Sequence, residues 1–147
     1  MREERNIAPL LLGALLIASL LLDWSALVFP IDIFRFPVNI LSMALWLAVT
    51  IELYLKREKW AMSRFMLSGS ATTLSFVAMV GLGIVFGIQL RPATTSFTAI
   101  IATLFLMSHL LLVTLRGWRN VRGIRWRFVV NHLGLLIAIG AAFWGAP

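Results

Sequence analysis

Five long apolar runs, parted only by short basic or proline-bearing breaks, confine this chain to one kind of fold. The runs cover residues 7–29, 38–55, 69–90, 96–115 and 128–144. An α-helix rises 1.5 Å per residue, so about 17–23 residues cross a hydrocarbon core of ~30 Å. No water is present in that medium to satisfy backbone N–H and C=O groups. A lone spanning segment therefore satisfies its own by coiling into a helix. Composition agrees: 61% of the 147 residues are hydrophobic, 13% are charged and the mean hydropathy is +0.94. A soluble domain carries about 25% charged residues. The expected fold is all-α, a single integral membrane bundle of five transmembrane helices.

The formal charge is +7, from 13 Lys+Arg against 6 Asp+Glu. In a soluble chain that balance would point to nucleic acid. Here the cations sit between apolar runs, where lysine and arginine mark the cytoplasmic side. With the N-terminus inside, that side carries Arg2, Arg5, Lys56, Arg57, Lys59, Arg64, Arg116, Arg119, Arg122, Arg125 and Arg127. The other side carries only Arg35 and Arg91. The reading is N-in, C-out in a bacterial inner membrane, with the lipid bilayer as partner and no nucleic acid. Trp60, Trp118 and Trp126 among the inner charges, and Trp144 near the outer end, fit an interfacial aromatic belt. Glu3 and Glu4 cancel the first arginines, and no small-Xaa-small cleavage site stands out. The first run is therefore read as a retained helix rather than a signal peptide.

There is no cysteine. That excludes disulfides, thiolate metal sites, a Cys-Xaa-Xaa-Cys pair and covalent haem attachment to this chain. No glycine-rich phosphate loop, HExxH or Ser/His/Asp set is present, so the chain is not expected to be an enzyme by itself. The chemistry falls to the two histidines. An ionisable residue inside an apolar span is a functional candidate by default. His109 lies seven residues before Arg116 and His132 five after Arg127. Both are expected roughly 8–10 Å inside the inner boundary. Neutral imidazole ligates haem iron, and two rings at one level between antiparallel helices suit bis-imidazole coordination of haem b. The competing role is a hydrogen bond to a neighbouring helix.

Asn131 points ~100° away from His132 around the helix and is assigned a bond to another helix. Gly134, Ala138 and Ala142, and Gly83 with Gly87, form small-residue stripes assigned to helix packing. Glu52 stands four residues from Lys56, the spacing of an i,i+4 ion pair; contact with a proton path or quinol is the sharper alternative. Asp23 is read as interfacial or as lining a path to the outer face, and Asp32 and Arg35 as solvated.

The stretch Phe128-Val129-Val130-Asn131-His132-Leu133-Gly134-Leu135, ending Gly140-Ala141-Ala142-Phe143-Trp144-Gly145-Ala146-Pro147, resembles the ResB/CcsB family. That family is the membrane component of system II cytochrome c biogenesis. Phe36-Pro37-Val38-Asn39 opening the second run, the basic break after it, and Leu115-Arg116 closing the fourth are similar in arrangement. The likeness covers about residues 35–147, and Asn-His-Leu-Gly is its one specific motif. The resemblance implies a protein that binds haem b through His132. It further implies help to a CcsA-like partner that moves haem to the outer face for attachment to apocytochrome c. His109 matches no family motif, and its ligand role rests on depth. The family's large periplasmic domain and the Trp-Trp-Asp segment of the CcsA partner are not in this sequence, so the chain is not expected to attach haem alone. Two rival readings stay open. One is a quinol-linked b-type haem anchor of an oxidoreductase, using His109, His132 and Glu52. The other is a structural subunit with no cofactor.

Reporter fusions check the orientation. Alkaline phosphatase joined after Trp144 should be active, and joined after Lys59 it should be inactive; the opposite pattern would refute N-in, C-out.

Overall fold

A computed structural model describes residues 4–25, 31–88, 96–119 and 123–144, with side chains for 7–25, 31–81, 84, 96–119 and 123–144. Pro30, Arg91, Arg122, Gly145 and the tails of the first and third runs lie outside the described residues. The side chains of Arg2 and Arg5 and the Gly83–Gly87 stripe lie outside the described side chains.

Six helices follow one another: α1 (Glu4–Trp24), α2 (Val38–Leu55), α3 (Ala61–Met66), α4 (Gly69–Ile88), α5 (Phe97–Trp118) and α6 (Trp126–Trp144). No strand occurs among the described residues. The five apolar runs are α1, α2, α4, α5 and α6. The first, second, fourth and fifth of these are long and apolar enough to cross a membrane. α4 has 20 residues, about 30 Å, with a shorter apolar stretch over Gly69–Gly81. The protein is an all-α, multi-pass membrane bundle. α3 was not expected; its six residues are too few to show a helical period, and it lies within the basic break after α2. α5 extends to Trp118, so Arg116 sits on its last turn rather than in the following loop. There its charge faces the negative end of the helix dipole.

α5 is the centre of the bundle. Of its most apolar 18-residue stretch 61% is buried, against 17% for those of α1 and α6 and 11% for that of α2. α1, α2, α3, α4 and α6 all pack on it. Its polar side chains meet theirs. Ser19 of α1 donates to Thr98 Oγ1 at 3.2 Å. Trp46 Nε1 of α2 donates to Ser108 Oγ at 2.9 Å, with Thr50 Oγ1 3.3 Å from the same oxygen. Tyr54 OH donates to the Leu115 carbonyl at 3.3 Å. Bonds of this kind between membrane helices contribute about 1 kcal/mol each.

The two ends differ. At one end Phe34 packs against Phe143 and Trp144, with ring centroids 5.0 and 4.9 Å apart. Trp144 Nε1 donates to Ser42 Oγ at 2.9 Å, and Asn39 Nδ2 donates to the Trp144 carbonyl at 3.4 Å. Trp144 is 9% exposed, so it is a core residue joining α2 to α6 and not part of an aromatic belt. Trp60, Trp118 and Trp126 are exposed, as belt residues are. They lie at the other end, where α2 and α5 finish, α6 begins, and eight of the described cations gather: Lys56, Arg57, Lys59, Arg64, Arg116, Arg119, Arg125 and Arg127.

Asp23, at the end of α1, caps the start of α5. Its Oδ1 accepts from Phe97 N at 2.9 Å; its Oδ2 accepts from Thr98 N at 3.0 Å and Ser96 Oγ at 2.8 Å. Ser96 Oγ in turn accepts from Ala99 N at 3.2 Å. The first three N–H groups of a helix have no intrahelical acceptor. Here a serine in the chain and a carboxylate from another helix take all three, and the negative charge lies at the positive end of the α5 dipole. Asp23 thus has a structural role as the cap that ties the end of α1 to the start of α5.

Asp23→Ala should cost about 1–2 kcal/mol, read from denaturation in mixed detergent micelles, because two backbone N–H groups lose their acceptor. Asp23→Asn keeps one acceptor oxygen and should lose less. Equal losses would show that charge, not acceptor supply, matters there.

Candidate functional site

His109 is 3% exposed on α5. Its Nδ1 lies 2.7 Å from the carbonyl oxygen of Met66, the last residue of α3. A carbonyl only accepts, so Nδ1 carries the hydrogen and Nε2 holds a lone pair. Carbonyls in the last turn of a helix have no intrahelical donor. α5 supplies two of the missing donors: His109 to Met66 and, two turns later, Arg116 Nη1 to Leu67 O at 3.2 Å. His109 is a tether that holds α3 against the central helix.

His132 is half-buried on α6. Its Nδ1 lies 2.8 Å from the carbonyl of Phe128, one turn earlier in the same helix. The imidazole stacks on the Phe128 ring, with centroids 3.9 Å apart and planes inclined by 29°. The hydrogen is again on Nδ1. Neither Nε2 has a hydrogen-bond partner among the described residues. A backbone carbonyl on Nδ1 is the usual way of fixing the tautomer of a metal-ligating histidine.

The two rings are not at one level. A Cβ on Gly117 would meet Phe128 at 2.8 Å and Val129 at 3.2 Å, and one on Gly140 would meet Met107 at 3.3 Å. Those contacts set the register of the antiparallel α5–α6 pair. His132 falls opposite about Thr114, five residues or roughly 7 Å along the axis from His109. The equal depths expected from the flanking arginines fail because Arg116 belongs to the helix itself.

Among the described residues, neither histidine is in the lining of the two main cavities. One cavity of about 470 Å³ lies among α1, α2 and α5, against Trp46, Thr50, Phe105 and Ser108, and is apolar. A second, of about 550 Å³, lies at the basic end. No group of three or more His, Asp or Glu side chains able to hold a metal ion occurs among the described residues. Beside His132, the residues Asn131, Gly134, Ala138 and Ala142 are all exposed on α6. No atom stands within 4 Å of where a Cβ on Gly134 would be. The small-residue stripe therefore faces out of the bundle, and Asn131 has no hydrogen-bond partner among the described residues. Glu52 forms its ion pair with Lys56, both about half exposed. Asp32 is less solvated than expected, since its Oδ1 accepts from Phe34 N at 3.0 Å in a local turn.

Sequence reasoning missed the acceptors of His109 and Arg116. Both are backbone carbonyls at the end of a short helix, and no residue type signals them. Fold and polar groups together define a multi-pass α-helical membrane protein with one tethering and one outlying imidazole. The chain matches no known family model, no characterised protein and no solved structure.

His109→Ala should cost about 2–3 kcal/mol, from an orphaned carbonyl and a core cavity, and should speed amide exchange across residues 61–68. His132→Ala should cost less than about 1 kcal/mol, because its bond stays within its own helix and the ring is half exposed. Equal effects in denaturation and exchange would refute this division of roles.

Proposed function

We propose that the protein is a non-catalytic subunit of a bacterial inner-membrane assembly for cytochrome c maturation, in which His132 offers one axial nitrogen to haem b. The observation that carries this reading is the His132 ring itself. Its Nδ1–H is engaged by the Phe128 carbonyl and its Nε2 has no partner among the described residues, at a half-buried position with exposed neighbours on α6. Among the described residues His132 is in the lining of neither cavity, though Phe128, on which it stacks, lines the one at the basic end. The reading therefore places the haem between chains, with the second ligand and the opposite wall coming from a CcsA-like partner laid along α6. Asn131 and the Gly134–Ala138–Ala142 stripe suit that contact: small residues permit close approach, and an amide in lipid seeks a donor or acceptor on a neighbouring helix.

The residues fit a ligand role as far as one donor goes. Haem supplies the iron; the chain supplies a nitrogen of fixed tautomer, a flanking aromatic ring and exclusion of water. His109 is assigned to holding α3, not to iron. Transfer of haem to apocytochrome c belongs to the partner in this reading.

A cofactor-free structural subunit is the second reading. It is favoured by the absence of a histidine-lined cavity and by both imidazoles already bonding carbonyls. Co-purification of the full chain with its membrane partner from haem-supplied cells separates the two. The haem reading expects a Soret band that falls at least severalfold in His132→Ala and persists in His109→Gln. A colourless complex, or a full band in His132→Ala, would establish the structural reading. Reduction of the band by added quinol would move the assignment to a b-type anchor of an oxidoreductase.

A further inference from the structure

The cavity at the basic end meets the haem reading only at Phe128, whose ring stacks on His132 and also lines the cavity. It has a volume of about 550 Å³ and lies where α3 passes into α4, where α5 ends and where α6 begins. Arg116, Arg119 and Arg125 line it, over an apolar floor that includes Leu67, Val113 and Phe128. The N-terminus of α4 opens on it at Ser68 and Gly69, adding the positive end of a helix dipole.

Among the described side chains no carboxylate answers these cations. The four acidic side chains described are all engaged elsewhere. Asp23 caps α5, Asp32 holds its own turn, Glu52 pairs with Lys56, and Glu58 lies 4.0 Å from Arg57. Arg116 spends one N–H on the Leu67 carbonyl and keeps the rest of its fork. Three arginines lining one concavity, with no anion supplied by the described residues, suit a phosphate oxyanion, which arginine binds in bidentate fashion. Arginines needed only to set topology would not have to converge on a cavity; Arg127 also lies at this end and does not line it. The exposed Trp118 and Trp126 mark the same level as the membrane interface, where lipid headgroups lie. Basic pockets between helices at that level take anionic headgroups.

We propose that this cavity binds a phosphate ester, the headgroup of an anionic phospholipid such as phosphatidylglycerol, with Arg116, Arg119 and Arg125 on the phosphate and Leu67, Val113 and Phe128 under the glycerol end. Free phosphate shares the charge but has no use for the apolar floor.

The test uses the full chain in nanodiscs of phosphatidylcholine alone or mixed with phosphatidylglycerol, with bound lipid counted by native mass spectrometry. Wild type should retain phosphatidylglycerol selectively. Arg119→Gln should weaken retention roughly 5-fold, and the triple change of Arg116, Arg119 and Arg125 to Gln on the order of 100-fold. Arg127→Gln should leave retention unchanged. Arg125→Lys keeps the charge, and so the fold at this end, but should still lose affinity because it lacks the planar fork. Retention unaffected by Arg119→Gln and Arg125→Lys, or weakened as much by Arg127→Gln, would overturn the site. Inorganic phosphate that binds with the same arginine dependence, in the absence of any lipid selectivity, would overturn the lipid as its source.

Discussion

A helix packed against five others, in a medium without water, finds partners for most of its polar groups within the protein, with the buried Thr103 hydroxyl as an exception. α5 is that helix, and most of the bundle's specific contacts answer it. Asp23 and Ser96 take its first N–H groups; Trp46 and Thr50 meet Ser108; Tyr54 takes the Leu115 carbonyl. His109 and Arg116 reverse the relation and supply donors to α3. Apolar burial alone would not select this arrangement, because lipid is as good a solvent for leucine as the inside of the bundle. Polar bonds and close approach at Gly117 and Gly140 provide the selection.

That reasoning also explains what could be read in advance. The spans were legible because a membrane demands uninterrupted apolar length, and α2 falls where its run does, at Val38–Leu55. The sorting of cations to one end was legible because insertion is governed by charge. The central position of α5 was not. In a soluble protein the most apolar helix is the most buried; here the most apolar 18-residue stretches of α1 and α5 share a hydropathy of 2.1 while 17% of one and 61% of the other is buried. The better signal was polar: Thr103, Ser108, His109 and Thr114 would be costly facing lipid, and Thr103, His109 and Thr114 are buried. Trp144 misled for the converse reason, since its indole N–H finds Ser42 inside the bundle instead of the headgroup region.

The two histidines show how far a residue type constrains its role. Both carry the hydrogen on Nδ1 and both bond a carbonyl, yet one bond spans 43 residues of sequence and the other four. Deleting the first removes a link between helices; deleting the second leaves the architecture alone. A residue whose loss the fold would hardly register is the one free to be retained for chemistry, and this is why His132, rather than the more deeply buried His109, carries the functional reading. Its neighbours on α6 support that view, because an exposed amide and a line of small side chains have no use within a single copy of the chain.

The order of the chain adds a consequence. The ribosome releases α1, α2 and α4 before it releases α5, so the periphery is made ahead of the centre. Until α5 has left the translocon, Asp23, Trp46 and Tyr54 lack the partners they hold in the finished bundle, and Ser19 has only the Leu16 carbonyl of its own helix. A nascent chain stalled before that point is a set of loosely associated spans with unmet polar groups in lipid, the kind of substrate that membrane proteases and insertion chaperones recognise. Assembly of the bundle thus waits on one late segment, although α3 already offers contacts to α1, α2 and α4 before it arrives.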